Sequence, residues 1–405
     1  MMKTKCRLTL LSVLFLLVGC GEGTSSEASA SSSEETKPVD AVYKEKIAKA
    51  PKSYSGTNLS TFVDGSLFYS MGKLSSTENT IVSPLTLGLN YSAISLVSSS
   101  ADAVKTKLGI SSLAEFSALN ETFNWDNDSE FDNRRDLMRS LTFHQIGQDG
   151  NSLSYLPGIR KTLSDNGIAT LVSTYSNKEK DAASFIKAEL GKEIDVPQLA
   201  LDNPCVLTYS AMRVKESRSG AVTASKTFHN LSGTTSEVKG DIAVREGTYW
   251  TGEGYSAFRY NVNETRLTFV LPDEGTSLSS VDATAAFLAG ENGTDARVTD
   301  AFFPYFSLKD EIDYSTEFGS LFANTGIYSG LVSDASGLIQ FGSKQVNDFT
   351  FDEKGIEGTS LTVSGAAGSA EPQELPEHSF VVDRPFYCFL SYLGVPLFAM
   401  TVVNL

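Results

Sequence analysis

The segment that most restricts the fold of this chain lies near its C-terminus, at residues 355–370. It consists mainly of small and β-branched residues, carries a single charge at Glu357, and contains no proline before Pro372. A surface loop rarely avoids both proline and charge over such a length, whereas a strand inside a sheet must avoid them. Proline lacks the backbone N–H that a sheet ladder needs, and an unpaired charge is costly to bury. The pattern therefore predicts a segment that can become a central strand.

Four motifs, one of them overlapping this segment, resemble sequence features of the serpin family. Residues 353–360 resemble the family's Glu-Glu-Gly-Thr-Glu-Ala-Ala-Ala hinge. Residues 380–386 and 397–404 resemble its C-terminal "F-x-A-D-H-P-F … F-M-G-R-V-V-N". Residues 79–86 resemble "N-x-F-F-S-P-x-S", and residues 269–275 resemble "x-I-I-L-P-x-x-G". The motifs occur in the family's order and span nearly all of the chain beyond its N-terminal region.

The resemblance implies the serpin fold, which is α+β. That fold has a helical cluster packed on a large central β-sheet, further sheets, and an exposed reactive-centre loop, here at about residues 353–379. The order of the elements independently favours the α+β class, because helical patterns dominate early and strand patterns late. The resemblance assigns the hinge of the loop to Glu353, Gly355, Ile356, Glu357, Gly358, Thr359 and Ser360.

Apolar periodicity predicts where several elements lie. Spacing typical of a helix occurs over residues 58–74, 85–97 and 180–190. Strand patterns occur over residues 206–214 and 302–308.

The resemblance implies a suicide-substrate inhibitor of extracellular serine proteases rather than an enzyme. A target protease would attack the bond after the specificity residue of the loop and form an acyl-enzyme. The cleaved hinge would then insert into the central sheet as a new strand and carry the covalently bound protease with it. Alternate hinge residues from Ile356 onward would face the core, and Glu357 would face water.

Two counts place the reactive bond differently. Counting forward from Glu353 gives Ser369, followed by Ala370, whereas counting back from the C-terminal motif gives Glu374. We prefer the first, because it keeps the insertable segment free of Pro372. The small residues around Ser369 suit an elastase-like or subtilisin-like protease, and Glu374 would instead suit a glutamate-preferring one. Residues 355–378 contain no Arg or Lys, which argues against a trypsin-like target.

Several positions depart from the family pattern. Family inhibitors usually have Thr where Ile356 stands and Ala where Gly358 stands, and glycine lowers strand propensity. Serpins gate the sheet with a Ser, an Asn and a His, whose positions correspond here to Ser83, Ser210 and Gln345. Polar groups remain at all three, so a hydrogen-bonded gate is expected. Ser83 also suits a helix N-cap.

Other functions remain open as alternatives. A non-inhibitory serpin-fold protein that binds a ligand or serves as a substrate would share these motifs, as would an inhibitor of a cysteine protease. A serine hydrolase is disfavoured because the chain has no Gly-x-Ser-x-Gly motif. A solute-binding lipoprotein would more typically show βαβ patterns across two lobes.

Composition limits the partners. The net charge of −16 argues against nucleic acid and anionic membrane surfaces. The three histidines, His144, His229 and His378, lie far apart in sequence, so we expect no metal site and no cofactor. We expect a monomer whose partner is the target protease, held in a covalent complex.

The N-terminus has the features of a bacterial lipoprotein signal. A basic start and the short apolar run at 8–18 precede Cys20, which resembles the lipidated cysteine of a lipobox. We therefore predict a signal peptide at 1–20, a flexible Ser/Glu-rich tether at 21–50, and a serpin domain at 51–405. The protein would be lipid-anchored on the outer side of a bacterial membrane, and would contact the membrane only through the anchor. Two cysteines remain, Cys205 and Cys388, and their pattern leaves open whether they are buried thiols or a disulfide.

Overall fold

A computed structural model describes much of the chain. The described residues are 37–38, 40–45, 59–99, 101–123, 135–147, 153–199, 204–217, 221–262, 265–322, 326–333, 343–358, 360–361 and 374–405. They belong to a compact unit that begins at Lys37. The predicted lipidation site Cys20, the hinge residue Thr359, and the predicted reactive bond at Ser369 and Ala370 lie outside the described residues.

Eight α-helices occur in the described part of the chain. They are α1 (Leu59–Met71), α2 (Pro84–Val97), α3 (Asp102–Leu108), α4 (Leu113–Thr122), α5 (Ile159–Asp165), α6 (Lys178–Leu190), α7 (Ala283–Ala289) and α8 (Ser315–Leu321). Ser83 caps α2 by accepting a hydrogen bond from the Thr86 N–H, and Gly191 ends α6 with a left-handed backbone conformation. Among these helices none has the length and apolar character needed to span a bilayer.

The strands form two large sheets. They are β1 (Ala41–Val42), β2 (Thr80–Val82), β3 (Arg135–Ile146), β4 (Ala169–Ser173), β5 (Cys205–Ser217), β6 (Thr223–His229), β7 (Thr235–Asp241), β8 (Arg245–Gly252), β9 (Tyr255–Val262), β10 (Thr265–Pro272), β11 (Thr294–Pro304), β12 (Phe306–Asp313), β13 (Lys344–Asp352), β14 (Gly355–Gly358), β15 (Ser360–Leu361), β16 (Glu377–Val381), β17 (Phe386–Tyr392) and β18 (Val395–Val402). Helices packed on large mixed sheets confirm the predicted α+β class.

The eight-stranded sheet, called the central sheet below, contains the hinge. Its order is β1-β4-β3-β5-β14-β13-β12, with β15 beside β5. The ten-stranded sheet has the order β2-β18-β17-β10-β9-β8-β11-β7-β6, with β16 beside β11. β17 and β18, the last two strands of the chain, are buried along their whole lengths. They hold the end of the chain in the main core.

The predicted strand at 302–308 is in fact two strands in different sheets. β11 ends at Pro304 in the ten-stranded sheet, and β12 begins at Phe306 in the central sheet. Pro304 has no N–H with which to continue a ladder, and the Tyr305 N–H donates to the carbonyl of Lys239. The apolar pattern runs on across the break because both strands are buried, so periodicity alone could not show it.

Residues 37–38 and 40–45 lie in the region predicted as a tether, but the structure places them against the central sheet. β1 pairs with β4, and the Tyr43 ring stacks on Phe185 of α6 at 4.8 Å. Arg160 of α5 binds Asp40 at 3.0 Å, and Lys44 pairs with Glu189 at 3.5 Å. The low apolar content of residues 21–50 gave no sign of this segment, which is attached by the pairing of β1 with β4, one aromatic ring and two ion pairs.

Replacing Tyr43 with alanine tests this attachment. We expect Tyr43→Ala to lower the free energy of unfolding by about 2 kcal/mol, because it removes the stacked ring and its apolar area. The measurement is the midpoint of urea unfolding. Tyr175→Ala is the control, since Tyr175 is 40% exposed, and it should shift the midpoint far less. Equal shifts for the two variants would show that residues 37–45 do not stabilise the fold.

Candidate functional site in the central sheet

The first part of the hinge is already a strand of the central sheet. β14 lies between β5 and β13 and runs antiparallel to both, with Ile356 opposite Glu216 on one side and Phe351 on the other. The Ile356 side chain is completely buried. Gly355, where the chain leaves the β13–β14 turn, has a φ of 130°, a backbone conformation that glycine adopts most easily. The predicted hinge residues from Gly355 to Gly358 therefore form one inserted strand.

The inserted strand ends at Gly358. Beyond it, β15 runs parallel to β5, with Ser360 opposite Glu216 and Leu361 opposite Ser217. Gly358 itself lies opposite Val214. The direction of the chain relative to β5 has thus reversed by Ser360, so only the first part of the hinge lies between β5 and β13 as an antiparallel strand.

Beyond the inserted strand the central sheet has a gap. No other described strand lies between residues 205–213 of β5 and residues 344–349 of β13. The two strands border a cavity of about 280 Å³, which is also lined by the first turn of α2 and by Ile186 of α6. The space between β5 and β13 is called the gap below. Each of the two strands has a backbone edge facing the cavity, so its N–H and C=O groups could pair with one extended strand placed in the gap.

Gln345 ties the gap edge of β13 to the start of α2. Its Nε2 donates to the Ser83 carbonyl and to Thr86 Oγ1, both at 2.9 Å. Its Oε1 accepts from the Ser83 N–H at 2.8 Å and from Asn347 Nδ2 at 3.1 Å. The Ser83 hydroxyl donates to the Leu397 carbonyl at 2.7 Å. The structure thus brings two of the three predicted gate residues, Ser83 and Gln345, into direct contact.

Ser210, the third predicted gate residue, lines the cavity from the β5 side. Its buried hydroxyl has no hydrogen-bond partner among the described residues. It therefore lies at the same gap as Ser83 and Gln345 but is not bonded to either.

Two further residues of the gate were not predicted from the sequence. Asn347 donates to the Ile81 carbonyl at 2.9 Å as well as to Gln345. It stands two residues beyond Gln345, so strand alternation places both on one face, and this was a usable signal. Thr86 belongs to the quoted motif at 79–86, but its role as a hydrogen-bond acceptor carries no sequence signature.

A segment at residues 191–199, called the strap below, follows α6 and borders the gap. Lys192 to Pro197 line the cavity. Asp195 pairs with Lys309 of β12 at 2.6 Å, and Arg213 of β5 donates to the carbonyl of Leu190 at 2.9 Å. The strap therefore joins β12 to α6 across the gap and closes it on that side.

Charged residues flank the hinge at the surface. Lys239 of β7 bonds Glu353, and this bond lowers the pKa of the Glu353 carboxyl. Both side chains are about half exposed, so solvent screens the pair. Glu374, the alternative reactive residue, is exposed just before β16. The pair between Lys239 and Glu353 lies directly after the end of β13 at Asp352.

The remaining chemistry-bearing residues do not form a second centre. Among the described residues no group of three or more His, Cys, Asp or Glu side chains could hold a metal ion. Cys205 and Cys388 are buried in different sheets and are not bonded to each other, so a disulfide between them is wrong. Burial raises the pKa of the Cys388 thiol.

Comparisons with known proteins identify the architecture. No protein-family model matches the sequence, and a search of curated proteins finds no match. The native-state crystal structure of tengpin, a thermophilic serpin, aligns with a TM-score of 0.70 and 15% identity over 90% of this chain and 98% of that one. The chain has the serpin fold.

Two other solved structures show the range of proteins with this fold. Arabidopsis AtSerpin1 in its native stressed conformation aligns with a TM-score of 0.65 and 19% identity, over 86% of this chain and 96% of that one. Human thyroxine-binding globulin complexed with thyroxine aligns with a TM-score of 0.67 and 18% identity, over 85% and 97%. The serpin fold is therefore shared by proteins that do different things, and it differs from the two-lobed alternative considered above.

Proposed function

We propose that the protein is a suicide-substrate inhibitor of extracellular serine proteases that traps its target by inserting the reactive loop into the central sheet. The observation that carries the proposal is the gap beside the inserted hinge. β14 already occupies one end of the space between β5 and β13, and the other end borders a cavity. Continuing β14 would complete the sheet.

The register of β14 supports this proposal. Glu357 is paired with Lys215 of β5 and with Thr350 of β13. Because β14 runs antiparallel to both strands, each later hinge residue would pair with the residue one position earlier in β5 and one position earlier in β13. The same step, continued, would bring Thr362 opposite both Ser210 and Gln345. The Thr362 hydroxyl would then lie within reach of the Ser210 hydroxyl, which has no partner among the described residues. Insertion would thus complete the gate hydrogen bonds.

The length of β5 favours one of the two candidate reactive bonds. In the continued register Ala367 would lie opposite Cys205, where β5 begins. Cleavage after Ser369 would therefore leave an arm that fills the strand and ends just beyond it. Cleavage after Glu374 would leave Pro372 past the end of β5 with no strand to pair with. We accordingly retain Ser369 and Ala370 as the reactive bond, and an elastase-like or subtilisin-like protease as the target.

Insertion supplies enough free energy to disable a protease. About a dozen inserted residues would add on the order of ten backbone hydrogen bonds, each worth ~1 kcal/mol net. Burial of side chains adds to this, and the stability of a typical protease domain is only ~5–15 kcal/mol. The chain acts throughout as a substrate and not as a catalyst.

The N-terminal motif supports a proposal about where the protein is located. We propose lipidation at Cys20 and an anchor on the outer side of a bacterial membrane, where the inhibitor would meet external proteases as a monomer. The basic start, the short apolar run and the cysteine support this proposal.

Loop cleavage without trapping is the second candidate function. Gly358, where the inserted strand ends, favours slow insertion, because glycine weakens a strand. A slow loop would let the protease hydrolyse the acyl bond and leave.

The likeness to thyroxine-binding globulin also shows that the fold can serve ligand binding. A cysteine protease would be trapped by the same insertion and is an alternative target.

The deciding experiment mixes the purified full-length chain with an elastase-type protease and separates the products on denaturing gels. We expect an adduct that survives detergent, together with a small released C-terminal peptide whose N-terminus is Ala370. A subtilisin-type and a papain-type protease, run in parallel, distinguish serine from cysteine targets. Cleavage of the loop with no adduct for any of the three would make the protein a substrate or binding module.

A further inference from the structure

His144 is a buried histidine with no assigned role. Its side chain is completely buried. It lies on β3 opposite Leu171 of β4, which packs with Phe185 of α6, so His144 is on the face of the sheet that α6 covers. Its ring centre lies 5.9 Å from that of Tyr209 on β5, and Leu171 and Leu207 are its partners on the neighbouring strands. Neither ring nitrogen has a hydrogen-bond partner among the described residues. The packed structure therefore holds a polar ring in apolar surroundings, which is unfavourable and more so if the ring is charged.

The titratable and charged groups near His144 come from β5 and α6. On β5 they are Tyr209 and Cys205, and at the start of α6 they are Lys178 and Glu179, which form an ion pair of 2.7 Å. Burial lowers the pKa of His144 to about 3, and the charge of Glu179 offsets part of that effect. His144 is therefore neutral in the packed structure at mildly acidic pH.

The helix that covers His144 also covers the gap. Ile186 of α6 and the strap that follows it line the cavity, and so does Tyr209, the ring against which His144 packs. A strand that entered the gap would place side chains against α6 and the strap. These elements must therefore move off the sheet before the strand can enter, and the same movement would expose His144 to water.

We propose that His144 makes loop insertion sensitive to acid, because the ring can take up a proton only when α6 lifts from β3. The consequence for insertion rests on the proposed function, whereas the lifting of α6 does not. In the lifted state the solvated ring titrates near its ordinary pKa of about 6.5. Between about pH 6.5 and about pH 3 the lifted state binds a proton that the packed state cannot, so the packed state loses stability as the pH falls through this window. At pH 5 the ratio of lifted to packed molecules should be about 30-fold higher than at neutral pH.

Hydrogen exchange of the full-length chain tests the lifting of α6 directly. Exchange of the α6 amides is compared at pH 5.0 and 7.5, after correction for the intrinsic pH dependence of exchange. We expect the opening equilibrium of α6 to rise about 30-fold at pH 5.0 in the native sequence and to stay nearly constant in His144→Phe and in His144→Gln. Two substitutions are used so that a folding defect in one leaves the other informative. His229→Gln and His378→Gln are the matched controls and should keep the rise.

A second measurement connects the lifting to insertion. The adduct-forming rate with an elastase-type protease is measured at both pH values, with each rate divided by the rate of loop cleavage. We expect this ratio to rise at pH 5.0 in the native sequence and to stay constant in His144→Phe. If the chain forms no adduct at all, the proposed function fails and the exchange result still decides the role of His144. An opening equilibrium that does not change with pH, or that changes equally in the His144 variants, overturns the inference.

Discussion

Replacing Ile356 with glutamate should abolish trapping while leaving loop cleavage intact. Ile356 is completely buried in β14 and lies directly opposite Glu216, which is itself buried. Residues opposite each other in an antiparallel pair lie on the same face, so Ile356→Glu would place a second carboxylate beside the first. An uncompensated buried charge costs ~3–5 kcal/mol, which corresponds to a factor of 100 or more in an equilibrium constant.

The measurement is the fraction of cleaved chains that ends as adduct, since the proposed insertion requires the hinge to stay in the sheet. We expect this fraction to fall at least ~10-fold for Ile356→Glu. Two matched variants test whether the buried carboxylate causes this fall in the adduct fraction. Ile356→Val keeps an apolar β-branched residue and should trap nearly as well as the native chain, and Ile356→Arg can pair with Glu216 and should fall between the other two. If Ile356→Glu forms as much adduct as Ile356→Val, the inserted hinge is not part of the mechanism.

Removing the Gln345 side chain should destabilise the native structure and open the gap. Gln345→Ala leaves the Ser83 N–H, the Thr86 hydroxyl and the Asn347 amide each without one partner. A buried polar group that loses its partner costs ~1–3 kcal/mol, and water entering the cavity recovers part of that. We expect the free energy of unfolding to fall by about 3 kcal/mol in urea denaturation.

A neighbouring residue supplies the control for the gate. Lys344 stands next to Gln345 on β13, and its side chain forms a surface pair with Glu311 at 2.5 Å. Lys344→Ala changes the same strand without touching α2, and it should leave the unfolding midpoint almost unchanged. A loss of stability in Lys344→Ala equal to that in Gln345→Ala would mean that β13, and not its link to α2, is the sensitive element.

The sequence predicted the elements that depend on strong local patterns. The helix predicted at 85–97 is α2, which begins one residue earlier because Pro84 suits a first turn and Ser83 caps it. The strand predicted at 206–214 lies within β5, and the helix predicted at 180–190 lies within α6. Buried faces and helix ends are local properties of the chain, so periodicity and capping residues were sufficient.

Long-range contacts were beyond the reach of the sequence. Gln345 and Ser83 are far apart in the chain, and only the resemblance to serpins suggested that they meet. The bond between Lys239 and Glu353, and the docking of Tyr43 on Phe185, left no pattern at all. How far the hinge enters the sheet also depends on the relative free energies of antiparallel pairing with β5, as in β14, and of parallel pairing, as in β15. Composition does not reveal that difference.

The edges of the central sheet differ in how they are protected from pairing with other molecules. Exposed strand edges invite pairing with other molecules, and proteins blunt them by covering them or lining them with charge. Here β1 covers part of the outer edge of β4, while β12 at the opposite edge carries Lys309, Asp310, Glu311 and Asp313. The unpaired backbone groups of β5 and β13 instead face inward, into a space bordered by α6 and the strap. The two backbone edges that border the gap are thus kept away from neighbouring molecules.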